Sequence, residues 1–435
     1  MIRINENLKI KSFEYFYMFL MVIYMAEMTP SMGRMRGGFT SDLMELFIPI
    51  IGHLILLYRN PISFKNRNLY SFIALYLIWA FGVIISSELF TISKITNFIF
   101  FIYVILIAYI HVKVFGKCLL PLYEHVIVVL CKIAFVCWFA ALLLPALGVL
   151  FRKFEATAYG YNILYLFNWM DPLKGQVLFG LSRNAGCSWE PGRFAIMIVL
   201  AIFFNLLIHG VTFKNNTNII WLLITLLSTM STTGYCITLV IYMLFLYKPD
   251  FKHLILFVFI GLPIIFCLFS LDFMGDKIIN SLDVESVIDA RLESLEWYEK
   301  NGGNEYFGSW GRFESIYFEI TENIVHNPLL GYGMDYSNSY YHKNISSVMT
   351  MAGGLFAIFS KFGIPLGIYL YYILMKSSVC VVSSRNVNQR MGLFIVILLS
   401  SISYNTFTFP VFTSFWLYSL FENKNTVIPK FIIRQ

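Results

Sequence analysis

Along the chain, hydrophobic and polar positions separate into long apolar runs and short charged intervals. A membrane-crossing helix needs about 20 mostly apolar residues. On that rule the pattern predicts helices near 13–30, 39–58, 69–87, 92–112, 122–150, 193–209, 217–231, 234–248, 253–270, 351–375, 391–408 and 410–423. The expectation is an all-α, polytopic membrane bundle of about twelve spans, within a range of 10–13. The two segments flanking Ser231-Thr232-Thr233-Gly234-Tyr235 are short. They form either one long helix or two half-spans meeting at a polar break, and backbone freed at such a break must lie beside protein or water.

Two long stretches interrupt the apolar pattern, at 151–192 and 271–350. The second is not a plain linker. Val284, Val287, Ile288, Leu292 and Leu295 recur at helical spacing, and so do Phe313, Ile316, Tyr317, Ile320 and Ile324. Gly302-Gly303 separates the two patterns, and Asn327-Pro328 ends the second, because the residue before proline avoids the α region. Two amphipathic helices at the outer face are expected. Their apolar sides either pack on the bundle, the favoured reading, or lie in the lipid interface. The chain therefore divides into a bundle at 1–270 that includes the loop 151–192, a large outer loop at 271–350, and C-terminal spans at 351–435.

Composition agrees with a membrane solvent. Of 435 residues, 58% are hydrophobic and only 13% charged, too few to cover a water-soluble fold. The 43 Phe and 27 Tyr suit lipid-facing helices with interfacial belts. The seven cysteines include no CxxC pair, which supports neither a disulfide framework nor a zinc site. Arg3, Lys9 and Lys11 precede the first apolar run, and no small-residue cleavage site follows it, so that run is expected to stay as an anchor.

Charge sets the orientation. With the N-terminus inside, seventeen Lys and Arg fall on the inner side, from Arg3 to Arg434, while the short outer loops hold Arg34, Arg36 and Lys94. Both termini are therefore expected in the cytoplasm. The net charge of +7 reads as a topology signal and not as a nucleic-acid surface. The outer loop 271–350 inverts the sign: thirteen acidic residues against Lys277, Arg291, Lys300, Arg312 and Lys343 leave it at −8. Lys132, deep in an expected span, has no assigned role.

Candidate chemistry lies in the second outer stretch and in the start of the span that follows it. Arg312 opens a helix; His326-Asn327-Pro328-Leu329-Leu330-Gly331-Tyr332-Gly333 follows it; then come Tyr341-His342-Lys343-Asn344 and Phe362-Gly363-Ile364-Pro365-Leu366-Gly367. Gly331 and Gly333 permit tight turns, but no strand precedes them, which disfavours a dinucleotide site. This ordered string resembles the O-antigen polymerase (Wzy-type) and O-antigen ligase superfamily. Trp189-Glu190-Pro191-Gly192-Arg193-Phe194-Ala195 looks like the Glu-Pro element of the polymerases. The Ser-Thr-Thr-Gly-Tyr break looks like the superfamily's Ser/Thr-rich element, without the arginine frequent there. The resemblance covers about 180–375.

The resemblance implies a GT-C-like fold in a bacterial inner membrane and glycosyl transfer on its outer side. The donor would be a glycan on undecaprenyl pyrophosphate and the acceptor another lipid-linked repeat unit, with no cofactor or metal. A chain-length regulator and a flippase are the implied partners. The residue types fit independently. Arginine forks bind phosphate oxygens bidentately and stabilise a leaving pyrophosphate, which nominates Arg183, Arg193 and Arg312. An acceptor hydroxyl needs a proton acceptor, which nominates His342 and Glu190. Each has a plain structural reading as well: an ion pair to Glu314 for Arg312, an interfacial anchor for Arg193, a solvated loop position for Arg183 and for His342, and an arginine partner for Glu190. A ligase, with lipid A-core as acceptor, and a lipid-linked glycan transporter are the competing functions. A transporter should show internal repeats and mid-membrane polar pairs, whereas the unexplained polar residues here lie outside.

Overall fold

A computed structural model describes residues 2–5, 8–25, 39–86, 92–143, 160–163, 167–170, 182–188, 190–211, 216–246, 284–301, 308–351, 354–383, 389–422 and 432–433. The expected span at 253–270, Trp189 and most of the loop 151–192 lie outside these residues.

The described chain is predominantly helical. Its membrane-type helices are α1 Ser12–Met25, α2 Phe39–Arg59, α3 Arg67–Ser86, α4 Ile92–Phe115, α5 Leu119–Leu143, α6 Pro191–His209, α7 Thr217–Thr229 and α8 Thr232–Leu246. The loop helices are α9 Val284–Lys300, α10 Arg312–Phe318 and α11 Tyr340–Asn344. Then come α12 Ala357–Ser383, α13 Gly392–Ser403, α14 Pro410–Trp416 and α15 Tyr418–Phe421. Among the described residues, four stretches are long and apolar enough to cross a membrane: Arg67–Ser86, Asn97–Ala140, Pro191–His209 and Ala357–Val382. The second of these contains α4 and α5, which meet at a 3-10 turn where Gly116 adopts φ +51°. The expected run at 391–408 stops at Ser403, and that at 410–423 is split at Leu417, so α13 and the α14–α15 pair are shorter than a full crossing.

The break at 231–235 separates two helices. Met230, at φ 49°, is the one described non-glycine residue in the left-handed region, and it ends α7. Gly234 lets α8 approach α6 closely, since a Cβ there would lie 2.9 Å from that of Ala195.

The core runs along α6. This helix packs against α5, α7, α8 and α13, and from Arg193 to Leu207 every residue is buried. Its 19 residues span about 28 Å. Asn205, near the far end, donates to Glu124 Oε1 at 2.8 Å. The neighbouring His125 Nδ1 lies 3.2 Å from the Tyr15 hydroxyl on α1. Just before α1, strand Leu8–Ile10 pairs antiparallel with Ile432–Ile433. The two terminal strands thus share one end of the bundle, and Arg193 marks the other. Nearer the terminal end a buried polar cluster joins α1, α2, α4 and α14. The Tyr17 hydroxyl lies 2.7 Å from His111 Nε2, His111 Nδ1 2.9 Å from Ser414 Oγ, and the Tyr103 hydroxyl 3.2 Å from His53 Nδ1. Such bonds hold apolar helices in register where the hydrophobic effect cannot.

The loop 284–350 has its own small core of Ile288, Leu295, Trp310, Phe318, Tyr341, Val348 and Met349. A two-residue parallel ladder, Gly308–Ser309 with Met349–Thr350, closes it. Both expected amphipathic helices form, as α9 and as α10 continued by a π-helix at Glu319–Ile324. Both depart from the favoured packing on the bundle: α9 turns Ile288 and Leu295 into the loop's own core, and the second helix leaves its apolar side uncovered. Phe313, Tyr317 and Ile320 are exposed, while Ser315, Phe318, Glu319 and Asn323 turn inward.

Candidate functional site

Two of the sequence motifs interlock. Gly363 breaks α12 at φ +75°, and Pro365 follows it. The Ile364 amide is thereby released from the helix and donates to the Pro328 carbonyl at 2.7 Å. The Tyr332 and Gly333 amides donate back to the carbonyls of Ser360 and Lys361, at 2.8 and 3.0 Å. A Cβ on Gly331 would collide with the Ser360 carbonyl, and one on Gly363 with that of Leu329. The segment 327–333 and the kink at 360–365 therefore form one backbone joint. Trp79 Nε1 on α3 donates to the Leu330 carbonyl at 2.8 Å and fixes the joint to the bundle. Above it, Glu319 is buried, accepts from Asn323 Nδ2 at 3.0 Å, and faces the charge of Lys361. Burial raises the pKa of Glu319, and bonds from Ser360 and Asn323 and the Lys361 charge oppose the rise.

The joint and the small loop core hold Arg312 at the start of α10. Its Nη1 donates to the Ser403 carbonyl, and its Nη2 donates to the Tyr404 hydroxyl at 3.0 Å. Its Cζ sits 4.4 Å from the centre of the Tyr404 ring. Arg193, in the first turn of α6, lies over the same ring at 5.3 Å and over Phe409 at 5.0 Å. Gly192 makes the approach possible, since a Cβ there would stand 2.7 Å from the Tyr404 oxygen. Arg183 immediately precedes the short strand Asn184–Gly186 that leads to α6, and its Nε donates to the Thr229 carbonyl at 3.1 Å. The Ser-Thr-Thr-Gly break also reaches this place, with Thr233 Oγ1 lying 3.1 Å from Ser403 Oγ.

Electrostatics ties the group together. Burial lowers the Arg312 pKa; Glu190 raises it; the charges of Arg193 and Arg183 lower it further. Burial likewise lowers that of Arg183, with Glu190 and Tyr235 opposing. Glu190, at the N-cap of α6, is therefore the shared counter-charge of two guanidiniums. Among the described residues of this group, three cations stand with one carboxylate, Glu190. An anion with several oxygens would relieve the repulsion and take up the guanidinium forks. The positive N-terminal end of α6 adds to the same field.

His342 has different neighbours. Its amide donates to Ser339 Oγ at 3.1 Å, and its ring meets Tyr336 edge-on with centroids 5.5 Å apart. Its Nδ1 is buried and has no hydrogen-bond partner among the described residues. The link to the arginines is indirect: Trp310 Nε1, two residues before Arg312, donates to the hydroxyl of Tyr341 at 2.6 Å. The structure thus brings Arg183, Glu190, Arg193 and Arg312 together and holds His342 in the adjoining loop core. Sequence reasoning missed Tyr404 and Ser403. The polar run Ser400 to Thr406 was the available signal, and it was read as part of a span.

Comparison with family models, with curated proteins and with solved structures finds no match.

Proposed function

We propose that this protein polymerises undecaprenyl-pyrophosphate-linked oligosaccharide repeats by glycosyl transfer at the outer face of a bacterial inner membrane. The observation that carries the reading is the meeting of three arginines: Arg193 and Arg312 over one tyrosine, Tyr404, and Arg183 sharing with Arg312 the charge of one carboxylate, Glu190. In this reading the guanidiniums hold the donor's diphosphate. The acceptor hydroxyl oxygen attacks the anomeric carbon, the bond from that carbon to the diphosphate oxygen breaks, and the electron pair leaves with the lipid pyrophosphate. Arginines aimed at that developing charge lower the barrier. The hydroxyl proton passes to Glu190, which adjoins the arginines, or to His342, whose buried Nδ1 has no hydrogen-bond partner among the described residues. Twelve spans in a GT-C-like arrangement, two cytoplasmic termini, and work beside a flippase and a chain-length regulator complete the proposal.

Deletion of the gene in its host is the test. The expected outcome is lipid A-core carrying single repeat units, a semi-rough pattern on gels. Cores left entirely bare would point to ligation instead, and full-length chains would overturn both.

A further inference from the structure

The helix running from Arg312 to Val325 is turned inside out for an aqueous segment. Its exposed positions before the last residue, His326, are Phe313 at 48%, Tyr317 at 39%, Ile320 at 39% and Val325 at 63%, and these four are apolar or aromatic. Its acidic residues lie elsewhere: Glu319 is buried, and Glu314 and Glu322 are half-buried. A helix in water shows the reverse arrangement, with charge outward and apolar side chains inward. The inversion is the more telling because the loop 271–350 carries a net charge of −8, so acidic side chains were available for that face.

Backbone geometry keeps the face continuous. The steps from Phe313 to Tyr317 and Ile320 are ordinary α-helical spacings. The step from Ile320 to Val325 is five residues and falls across the π-helix at Glu319–Ile324, whose i→i+5 bonding brings residues five apart back to one side. Leu329, 71% exposed, follows. Leu330 then packs on Gly82 of α3 and accepts from Trp79. That helix is long and apolar enough to cross a membrane and carries its own outward row of Ile78, Phe81 and Ile85. The exposed face of the loop helix is therefore joined, at Leu330, to an outward apolar face of α3.

We infer that the helix 312–325 lies in the bilayer, in the leaflet at the arginine end of the bundle, with Phe313, Tyr317, Ile320 and Val325 among the lipids. Membrane lipid is the occupant because the face carries no charge and adjoins α3. Arg312, at the start of this helix, is then held at the depth of the lipid phosphates, where a headgroup-borne anion would meet it. The inference does not use the polymerisation reading and stands for any chemistry at the arginine group.

The experiment uses the full-length chain in its native membrane. p-Benzoylphenylalanine is placed at Phe313, at Tyr317 and, as a control, at Glu296, an exposed position on α9 of the same loop. After irradiation, intact-mass spectrometry counts phospholipid adducts. Positions 313 and 317 should give about tenfold more lipid adduct than 296, as expected of an interfacial helix. Equal yields at the three positions, or adducts to another protein or to another part of the chain, would overturn the inference. A second measurement needs no variant: hydroxyl-radical footprinting in nanodiscs. Phe313 and Tyr317 should be protected and Trp297, 69% exposed on α9, oxidised. Comparable oxidation of all three would overturn it as well.

Discussion

Tyr404 holds two like charges over one ring. Each guanidinium–ring contact contributes about 0.5–2 kcal/mol, and the hydroxyl adds an acceptor for Arg312. A lysine at 312 would keep the charge but lose the planar fork that spans the Ser403 carbonyl and the Tyr404 hydroxyl. In complementation of the deleted host, Arg312→Lys should therefore restore short chains only, and Arg312→Ala none. Chain length on gels reads the difference, and full-length chains from Arg312→Ala would remove this residue from the site. The charged members of the group were legible in the sequence because arginine, glutamate and proline stand out against apolar runs. Tyr404 was not: it carries no charge, and its role depends on Gly192, Arg193 and Arg312 arriving from far along the chain.

At the scale of elements, the joint between 327–333 and 360–365 anchors the far end of the helix that Arg312 begins. The two motifs were each visible as glycine- and proline-rich strings. Their docking was not, because it is made by backbone groups such as the Ile364 amide and the Pro328 carbonyl, which leave no periodic trace in side-chain pattern. The same limit explains the second loop helix. Of its expected stripe, Phe313, Tyr317 and Ile320 share the exposed face while Ile316 and Ile324 are half-buried, and a stripe alone does not say whether protein or lipid covers it. Gly363→Ala tests the joint. A side chain there meets the Leu329 carbonyl, on top of a backbone conformation that costs about 1–3 kcal/mol for other residues. Gly210→Ala is the comparison, since φ is +72° there and nothing lies within 4 Å of a Cβ. On heating in detergent, Gly363→Ala should lose its monodisperse peak at a lower temperature than Gly210→Ala. Equal losses would mean that the joint does not stabilise the fold.

At the scale of the molecule, the expected orientation partitions charge by side. Seventeen basic residues fall on intervals expected inside, while the stretch 271–350, expected outside, has a net charge of −8. The paired terminal strands put both ends of the chain on one side of the bundle. Lys and Arg bias then predicts that this side is cytoplasmic. A fluorescent protein fused at the C-terminus should glow, and alkaline phosphatase inserted after Asn301 should be active; the opposite pair of results would invert the topology.

The all-round burial of α6 has a mechanical consequence. Bilayers differ in thickness, and the strain of mismatch falls on helices that touch lipid, here α3 and α12 with their outward apolar rows. A mast sheathed by neighbours is shielded from that load. Arg193 at its tip should keep its height when the surrounding acyl chains lengthen or shorten, so the spacing of the arginine group is calibrated by protein against protein and not by the changing girth of the membrane.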